Sequence, residues 1–375
     1  MKVEVNSTSL ADAVAWATRA LDNRPNNPIL AGIKLETVDG LLQLSTFSLT
    51  MTARDRIEAG VDEDGTVVVR GKMLSDISRM LPGEKTYLAT EGSRLRITSG
   101  KSTFSLQLMP VEEYPDLPQL PPLVGEVDAA TFAQAVNQAN VSVAPIDGPR
   151  PVLSCIRTQF VGNTVIMSST DRFRLSRAMV EWEPADAEVD VSALIPGDRL
   201  RELAHSLDMH TTVKISFDPQ NPKLVGFENG GRVSTLQLIE GEFPSVDRLY
   251  ADEYPIHAVI NRQDLLDAIK RMSLVTGQNE SLRMTFTNEE VTLTAGNSEE
   301  AQANEILDVD LDGEDITLAF NPNYLQNGIA AISEPYVRMK MTTPIKPVEF
   351  DGQESKDSDE SMQYRYLLVP MRIGN

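Results

Sequence analysis

The chain has 375 residues, of which 41% are hydrophobic and 24% charged, which is typical of a soluble globular protein with room for two or three domains. Its formal net charge of −21 argues against nucleic acid as a partner when the charge is averaged over the chain. The sequence has no run of eighteen apolar residues and no apolar signal-peptide centre, so we predict a cytoplasmic protein without a membrane span. Its single cysteine, Cys155, excludes an internal disulfide framework.

Six segments have helical periodicity, and they occur in three pairs. In the first segment, Ser9 and Asp12 have the spacing of a capping box, and Leu10, Val14 and Ala17 then share one face. The predicted helices are 9–21, 71–81, 128–143, 196–207, 261–276 with Asn261 as its N-cap, and 321–333. The second helices of the pairs begin 125 residues apart, which indicates a repeat as large as a whole domain.

The segments between the helices alternate in polarity like β-strands. The predicted strands are 33–36 and 41–45 in the first repeat, 156–160 and 164–168 in the second, and 282–286 and 291–294 in the third. Each repeat is therefore a helix, several antiparallel strands, a second helix and more strands, and the predicted fold class is α+β with three repeated domains. We place these domains at 1–120, 121–252 and 253–375, with linkers at 118–125 and 250–255.

A strand that runs into an aromatic-proline pair marks the repeats. Phe243-Pro244 follows such a strand, and Tyr114-Pro115 lies 129 positions earlier. A further strand, predicted at 366–373, lies about one interval later. The repetition at this interval supports three domains of similar construction.

Three features have ordinary explanations. Segment 308–313, Asp-Val-Asp-Leu-Asp-Gly, begins like a calcium loop, but Ala319 stands where its bidentate glutamate belongs, and a similar segment at 62–65 favours a recurring hairpin turn. Cys155 has no base at motif spacing, which favours a small core residue over a nucleophile. The acidic run 351–360 is interpreted as a solvated hairpin loop. We find no catalytic, metal-binding or cofactor motif and predict none of these functions.

The acidic charge is distributed unevenly. The six helical segments carry +2 together and the rest of the chain −23, when the segments are counted as 7–24, 70–83, 128–144, 196–207, 261–277 and 321–333. Lys72 and Arg79 lie seven residues apart on the polar face of one helix, and Arg199 and Lys270 are basic positions on two others. Either these surface helices simply balance their charges, or they form a neutral to basic side that a duplex approaches.

Five motifs in combination are typical of one protein family. They are Arg24-Pro25-Asn26-Asn27-Pro28-Ile29-Leu30, Ser169-Thr170-Asp171-Arg172-Phe173-Arg174-Leu175, Gly241-Glu242-Phe243-Pro244, Asn321-Pro322-Asn323-Tyr324-Leu325 and Tyr366-Leu367-Leu368-Val369-Pro370-Met371-Arg372. Over essentially its full length the chain resembles the bacterial DNA polymerase III beta subunit, the sliding clamp. The resemblance implies a non-catalytic processivity factor: a head-to-tail homodimer of three-domain subunits that closes into a pseudo-sixfold ring around double-stranded DNA.

The resemblance also implies a hydrophobic cleft between the second and third domains. In the family this cleft accepts short peptides of the Gln-Leu-x-Leu-Phe type from replicative polymerases, the clamp loader and repair proteins. The matching residues here are Leu153, Thr170, Arg174, Leu175, Pro244, Arg248, Leu249, Ile345, Val369, Pro370, Met371 and Arg372. The alternative, that they are ordinary core and strand ends, suits Leu175 better than Pro370 and Met371.

Two further sets of residues follow from the resemblance. Ring closure would bring Phe104 and Leu106, on an edge strand of the first domain, to Leu274 and Val275 in the third. The family's DNA-contacting basic positions are matched by Arg24 and Lys72, whereas Arg79, Arg199 and Lys270 are inferred from helix faces alone.

The sequence departs from the family pattern at a few positions. Arg172-Phe173 stands where the family often has Gly-His, Asp198 replaces a lysine at a helix start, and Val369 replaces a common methionine. Two alternative functions remain at this point. One is a protein-binding scaffold of the same fold that does not encircle DNA, and the other is a carboxylate-dependent hydrolase.

Overall fold

The structure is a computed structural model that describes residues 1–22, 25–277, 280–296 and 301–372. In these ranges it has six α-helices and 26 β-strands, and neighbouring strands pair antiparallel, as predicted. None of the helices in the described ranges has the length and apolar composition needed to cross a membrane.

Each helix overlaps one of the six predicted segments and is shorter than predicted, and the first begins at Ser7, two residues before its predicted segment. They are α1 (Ser7–Ala17), α2 (Gly71–Ser78), α3 (Ala129–Asn140), α4 (Gly197–Ala204), α5 (Arg262–Ser273) and α6 (Pro322–Ala330). The end of α2 shows the reason: Met80 N bonds to Ile77 O at 2.9 Å, so the apolar periodicity continues into a tighter final turn. The predicted capping box is wrong, because the N-cap of α1 is Asn6, whose side chain accepts from Thr8 N and Ser9 N. Asn261 caps α5 as predicted.

The strands include all six short segments predicted from alternation. In chain order they are β1 (Lys2–Asn6), β2 (Gly32–Val38), β3 (Leu41–Phe47), β4 (Met51–Glu63), β5 (Thr66–Arg70), β6 (Lys85–Glu91), β7 (Arg94–Ser99), β8 (Ser102–Gln107), β9 (Leu123–Asp128), β10 (Cys155–Val161), β11 (Thr164–Thr170), β12 (Arg174–Glu181) and β13 (Glu183–Pro184). The remainder are β14 (Asp190–Pro196), β15 (Thr212–Phe217), β16 (Leu224–Asn229), β17 (Arg232–Gln237), β18 (Ile256–Asn261), β19 (Leu282–Phe286), β20 (Glu290–Ala295), β21 (Ala303–Asp308), β22 (Asp310–Asp312), β23 (Ile316–Phe320), β24 (Tyr336–Met341), β25 (Val348–Gln353) and β26 (Glu360–Leu368).

The first of two compact units contains one large sheet. The unit comprises Met1–Ala130, Glu183–Asp186 and Glu202–Leu238. Its 13-stranded sheet follows the path β13-β9-β15-β16-β17-β4-β1-β6-β7-β8, and β3, β2 and β5 branch from β4 in that order. Leu236 on β17 lies opposite Met51 on β4, so strands from the first and second predicted domains share this sheet.

In the described residues of the second unit the strands form two sheets. The unit comprises Thr131–Trp182, Ala187–Arg201 and Ile239–Asn375. A nine-stranded sheet has the order β14-β10-β11-β12-β26-β25-β24-β18-β22, and a four-stranded sheet has the order β21-β20-β19-β23. The pairing of β12 with β26 joins the second and third predicted domains. The domain boundaries at 120 and 252 stay predictions.

Three local predictions need correction. Segment 308–313 is no hairpin turn: β22 pairs with β18, and Gly313, at a φ of 121°, leads to β23 in the four-stranded sheet. Segment 62–65 likewise connects β4 to β5, which pairs with β2 instead. A flexible Gly or Asp-Gly step permits a change of direction whether or not its flanking strands pair, which is why the sequence misleads here. The first linker is shorter than predicted, because β9 already begins at Leu123.

The acidic run 351–360 forms the predicted hairpin but is only partly solvated. β25 and β26 pair with Gln353 opposite Glu360. Asp351 is fully buried on β25, where its Oδ2 lies 2.5 Å from Lys340 Nζ. The expectation of a wholly exposed acidic loop is therefore wrong at Asp351, because a cation from a neighbouring strand faces it.

Candidate functional site

A tight turn between β11 and β12 is organised by Asp171. Its Oδ1 accepts hydrogen bonds from the backbone N–H groups of Phe173 and Arg174 at 3.0 and 3.1 Å, and its Oδ2 accepts one from Arg174 Nε at 2.8 Å. Thr170 Oγ1 accepts from Arg172 N at 3.1 Å and donates to Arg174 O at 2.7 Å. These bonds hold Arg172 at a φ of 83°, which non-glycine residues rarely adopt. The turn thereby exposes the side chains of Arg172 and Phe173.

This turn lines a cavity of about 190 Å³. Another part of the lining is loop 144–150, which backbone hydrogen bonds connect to Leu153: Ala144 N donates to Leu153 O, and Leu153 N to Arg150 O. Leu153 and Tyr324 complete the cavity with apolar surface. Its lining is thus apolar at Leu153, Phe173 and Tyr324. It is cationic at Arg150, which comes from the loop, and at Arg172, which comes from the turn.

The position of Tyr324 follows from the start of α6. Asn321 is the N-cap, and its side chain accepts from Asn323 N and Tyr324 N at 3.0 and 3.1 Å, while Pro322 occupies the first helical position. The ring of Tyr324 lies 4.2 Å from the guanidinium carbon of Arg174. One of the family-typical motifs therefore has a local purpose: it fixes an aromatic ring at the cavity.

The aromatic-proline turn packs close to the same pair of strands. Leu175, Val246 and Leu367 form a buried apolar cluster, with Phe243 and Tyr250 packed against it. Leu175 lies opposite Leu367 in the pairing of β12 with β26, and only 1% of its surface is exposed. Leu175 therefore fits the alternative of an ordinary core residue.

The chain continues beyond β26 along the same region. Val369 N donates to Phe173 O at 2.9 Å, and Met371 N donates to Ala319 O at 2.7 Å. The predicted strand 366–373 thus ends at Leu368, because its next backbone groups bond to a turn and to another sheet. Val369 is exposed and Met371 is half-buried.

The predicted cleft residues differ in exposure and placement. Leu153 lines the cavity, and Thr170 and Arg174 build its turn. Leu249, Ile345 and Val369 are exposed apolar side chains, Arg248 and Arg372 are exposed cations, Pro244 is half-buried, and Pro370 is buried. Val348 lies opposite Leu368, which places the loop carrying Ile345 beside the end of β26. Sequence reasoning missed Arg150 and Tyr324 as lining residues and treated Arg172-Phe173 only as a departure from the family.

A charged network anchors segment 250–255, the second predicted linker. The ring centroid of Tyr250 lies 4.0 Å from the guanidinium carbon of Arg365 and 5.1 Å from that of Arg177, and burial raises the pKa of Tyr250 to about 12. Tyr254 donates its hydroxyl to Glu349 Oε2 at 2.5 Å. The predicted linker lacks regular structure, as expected, but it is fixed to the sheet of β24–β26.

A second, basic cavity of about 340 Å³ lies at α2. Arg70, Lys72 and Arg79 line it together with Asp22 and Asp76. Lys72 and Arg79 are exposed and two helical turns apart, as their spacing predicts. Arg70 was missed, although its position directly before α2 would have suggested it.

Of the other three residues predicted to contact DNA, the two that the structure describes do not line this basic cavity. Arg24 lies outside the described residues. Arg199 is half-buried on α4. Lys270 is exposed on α5, where its Nζ lies 3.2 Å from Asp267 Oδ1, so part of its charge is offset within the helix.

The residues predicted at the subunit interface lie at two sheet edges and one helix end. β8 ends the path of the 13-stranded sheet, and β21 ends the four-stranded sheet. On β8, Phe104 is half-buried and Leu106 only 5% exposed. Leu274, at the end of α5, is 85% exposed, whereas Val275 is half-buried. Leu274 is thus the one of the four whose side chain most needs an additional contact.

Among the described residues, those considered as candidates for catalysis or metal binding form no such site. Cys155 is fully buried, as predicted, and burial raises its pKa to about 11. In the part of the chain that the structure describes, no group of three or more His, Cys, Asp or Glu side chains could hold a metal ion.

Three family models match the chain in succession. The N-terminal domain of the DNA polymerase III beta subunit matches residues 1–118, its central domain matches 126–245, and its C-terminal domain matches 248–371.

Individual proteins and solved structures agree with these matches. The beta sliding clamp of Streptomyces coelicolor is 39% identical over all of both chains, and the beta sliding clamp homolog GriR of Streptomyces muensis is 32% identical over all of both chains. Among solved structures, the sliding clamp of Bacillus subtilis and the beta subunit of Streptococcus pyogenes superpose over all of both chains, each with a TM-score of 0.92, at 20% and 22% identity. The structural likeness confirms the predicted fold.

Proposed function

This chain belongs to the family of the DNA polymerase III beta subunit, the bacterial sliding clamps, and on that premise we propose that it is a non-catalytic DNA replication processivity factor. It acts as a homodimeric ring that encircles double-stranded DNA and tethers the replicative polymerase. The observation that carries this proposal is the full-length succession of three family domains together with 39% identity to a sliding clamp.

The contact with DNA is electrostatic and independent of sequence. Lys72 on α2 and Arg79, its C-cap, are exposed, Arg70 directly precedes the helix, and the two acids of the same cavity limit how tightly a phosphate is held. Cations that meet phosphates position a duplex without reading its bases. Arg24, Arg199 and Lys270 are proposed to contribute in the same way. Weak, salt-sensitive contact suits a ring that must move along DNA.

Partner proteins bind at the surface around the turn 170–174 and residues 369–372. Exposed apolar side chains at Phe173 and Val369 adjoin a cavity lined by Leu153 and Tyr324. A short peptide with two apolar anchors suits such a surface, because a few well-buried anchors supply most of the affinity of peptide binding. The replicative polymerase, the clamp loader and repair proteins are the proposed sources of these peptides.

Ring closure requires the free edge at β8 to meet the third domain of a second copy. Unpaired edge strands present backbone groups that a second chain can satisfy, and Leu274 offers exposed apolar surface for the same contact.

Retention on closed DNA tests this proposal. The protein is loaded onto a circular plasmid with a bacterial clamp loader and ATP, and the DNA-bound fraction is separated by gel filtration. We expect retention on the intact circle and on a nicked circle, which is still closed, and release after the plasmid is linearised. Equal retention on linear and circular DNA would show that the protein does not encircle its DNA.

A further inference from the structure

The cavity of about 190 Å³ carries a charge that the protein itself does not neutralise. Arg150 and Arg172 both line it, and both side chains are exposed. Within the described residues neither has an ion-pair partner. Both cations stand at the rim of a partly apolar cavity, in a chain whose formal net charge is −21.

Asp171 is the acid that lines this cavity, and its carboxylate is already engaged. Its Oδ2 accepts from Arg174 Nε at 2.8 Å, and its Oδ1 accepts from two backbone N–H groups. Asp171 therefore balances the charge of Arg174 and shapes the turn. Among the described residues no acid pairs with Arg150 or Arg172, so both are available to charge from outside the molecule.

The position of Arg172 is maintained at an energetic cost. Its φ of 83° lies in the left-handed region, where an arginine is strained and a glycine is not. The hydrogen bond from its backbone N–H to Thr170 Oγ1 holds it there and directs the side chain to solvent beside Phe173. Loop 144–150 carries Arg150 to the same cavity.

We propose that this cavity selects acidic linear peptides: a large apolar side chain enters between Leu153, Phe173 and Tyr324, and flanking carboxylates of the peptide pair with Arg150 and Arg172. The inference rests on the proposed partner-binding function and specifies the charge of the partner. The apolar lining favours a peptide over a nucleic acid, because phosphates alone would leave that surface uncovered. The pairs are solvent-exposed, so each contributes a small, salt-sensitive gain in affinity.

The test compares two peptides that differ only in charge. One contains Gln-Leu-Asp-Leu-Phe followed by two Asp residues, and the other has Asn at the same three positions; each carries a fluorescent label, and binding to the full-length protein is measured by anisotropy. At low ionic strength we expect the acidic peptide to bind about fivefold more tightly, which corresponds to two exposed ion pairs, and the difference to shrink in high salt.

Variants assign the effect to the arginines. In the double variant Arg150→Gln, Arg172→Gly we expect the ratio of the two affinities to fall to about one; glycine is chosen because it accepts the positive φ. Lys356→Gln, which removes an exposed charge from the turn between β25 and β26, should leave the ratio unchanged.

The contrary outcomes are distinguishable. Equal affinity of the two peptides for the unaltered protein would overturn the proposed selectivity but would not contradict the proposed peptide-binding cleft. If neither peptide bound, the cleft assignment and the selectivity would fall together. If a short single-stranded oligonucleotide displaced the acidic peptide from the unaltered protein and lost its own binding in the double variant, the arginines would serve nucleic acid, and the proposal would be wrong.

Discussion

Asp171 Oδ2 accepts a hydrogen bond from Arg174 Nε at 2.8 Å, and each of the two side chains is only 11% exposed. The same carboxylate accepts the backbone N–H groups of Phe173 and Arg174. A single side chain thus neutralises a buried cation and shapes the turn that presents Phe173. Removing it leaves a largely buried guanidinium without its counter-ion, a condition that proteins tolerate poorly.

Replacing Asp171 should therefore destabilise the protein and weaken peptide binding together. We expect Asp171→Ala to lower the free energy of unfolding by roughly 2–4 kcal/mol, because Arg174 loses its counter-ion and two N–H groups lose their acceptor. Urea denaturation followed by circular dichroism measures the change. Asp357→Ala, an exposed acid in the turn between β25 and β26, is the control. Equal stability of the two variants would mean that the turn does not depend on this carboxylate.

Met371 tests the cleft without disturbing the proposed dimer. It is half-buried, and its backbone N–H is bonded to Ala319 O. We expect Met371→Glu to reduce the affinity for a Gln-Leu-x-Leu-Phe peptide by at least about tenfold, because an apolar anchor would have to desolvate a carboxylate. The dimer should persist on sizing. Met362 is an exposed methionine on β26 outside the predicted cleft, so the control variant Met362→Glu should bind the peptide with normal affinity. An unchanged peptide affinity of the Met371→Glu variant would contradict the predicted cleft.

Local patterns predicted the helices and strands well, because they depend on neighbours in the sequence. The apolar face of α5 with its Asn261 cap is an example. The acidic run 351–360 shows the limit: Asp351 is buried since Lys340, from another strand, lies beside it, and no local pattern reveals that pairing. The cavity depends likewise on loop 144–150, a turn and α6 meeting in space. The family resemblance supplied Leu153 and Arg174, but not the two arginines that give this cavity its charge.

Leu274 offers a cleaner test of dimerisation than the β8 residues. Leu106 is only 5% exposed within its own subunit, so a polar substitution there would also disturb the core. Leu274 is 85% exposed, so Leu274→Glu removes nothing from the core of the subunit. We expect this variant to elute as a monomer on gel filtration with light scattering, at an unchanged denaturation midpoint at dilute concentration. Leu49→Glu, another exposed leucine at 66%, should remain dimeric. A dimeric Leu274 variant would remove this residue from the interface.

Asp351 gives the protein a defined pH dependence. Burial and the nearby Glu349 raise the pKa of Asp351 from an ordinary value of 3.8 to about 7, although Lys340 and Arg365 act in the opposite direction. The folded state therefore binds this proton more tightly than the unfolded state does. Stability should rise as the pH falls from 8 towards 4 through this group, and the penalty of the buried charge is fully present above pH 7.

The difference in unfolding free energy between the unaltered protein and the Asp351→Asn variant isolates the contribution of Asp351 from that of other titrating groups. Between pH 8 and pH 6 the unaltered protein should gain about 1.4 kcal/mol of unfolding free energy relative to the variant, as expected for one proton bound with a pKa near 7. Urea denaturation at several pH values measures this. The control variant Asp359→Asn removes an exposed carboxylate from the same hairpin, and its unfolding free energy should change with pH as that of the unaltered protein does. If the Asp351 variant also ran parallel to the unaltered protein across this range, Asp351 would not be the group that titrates.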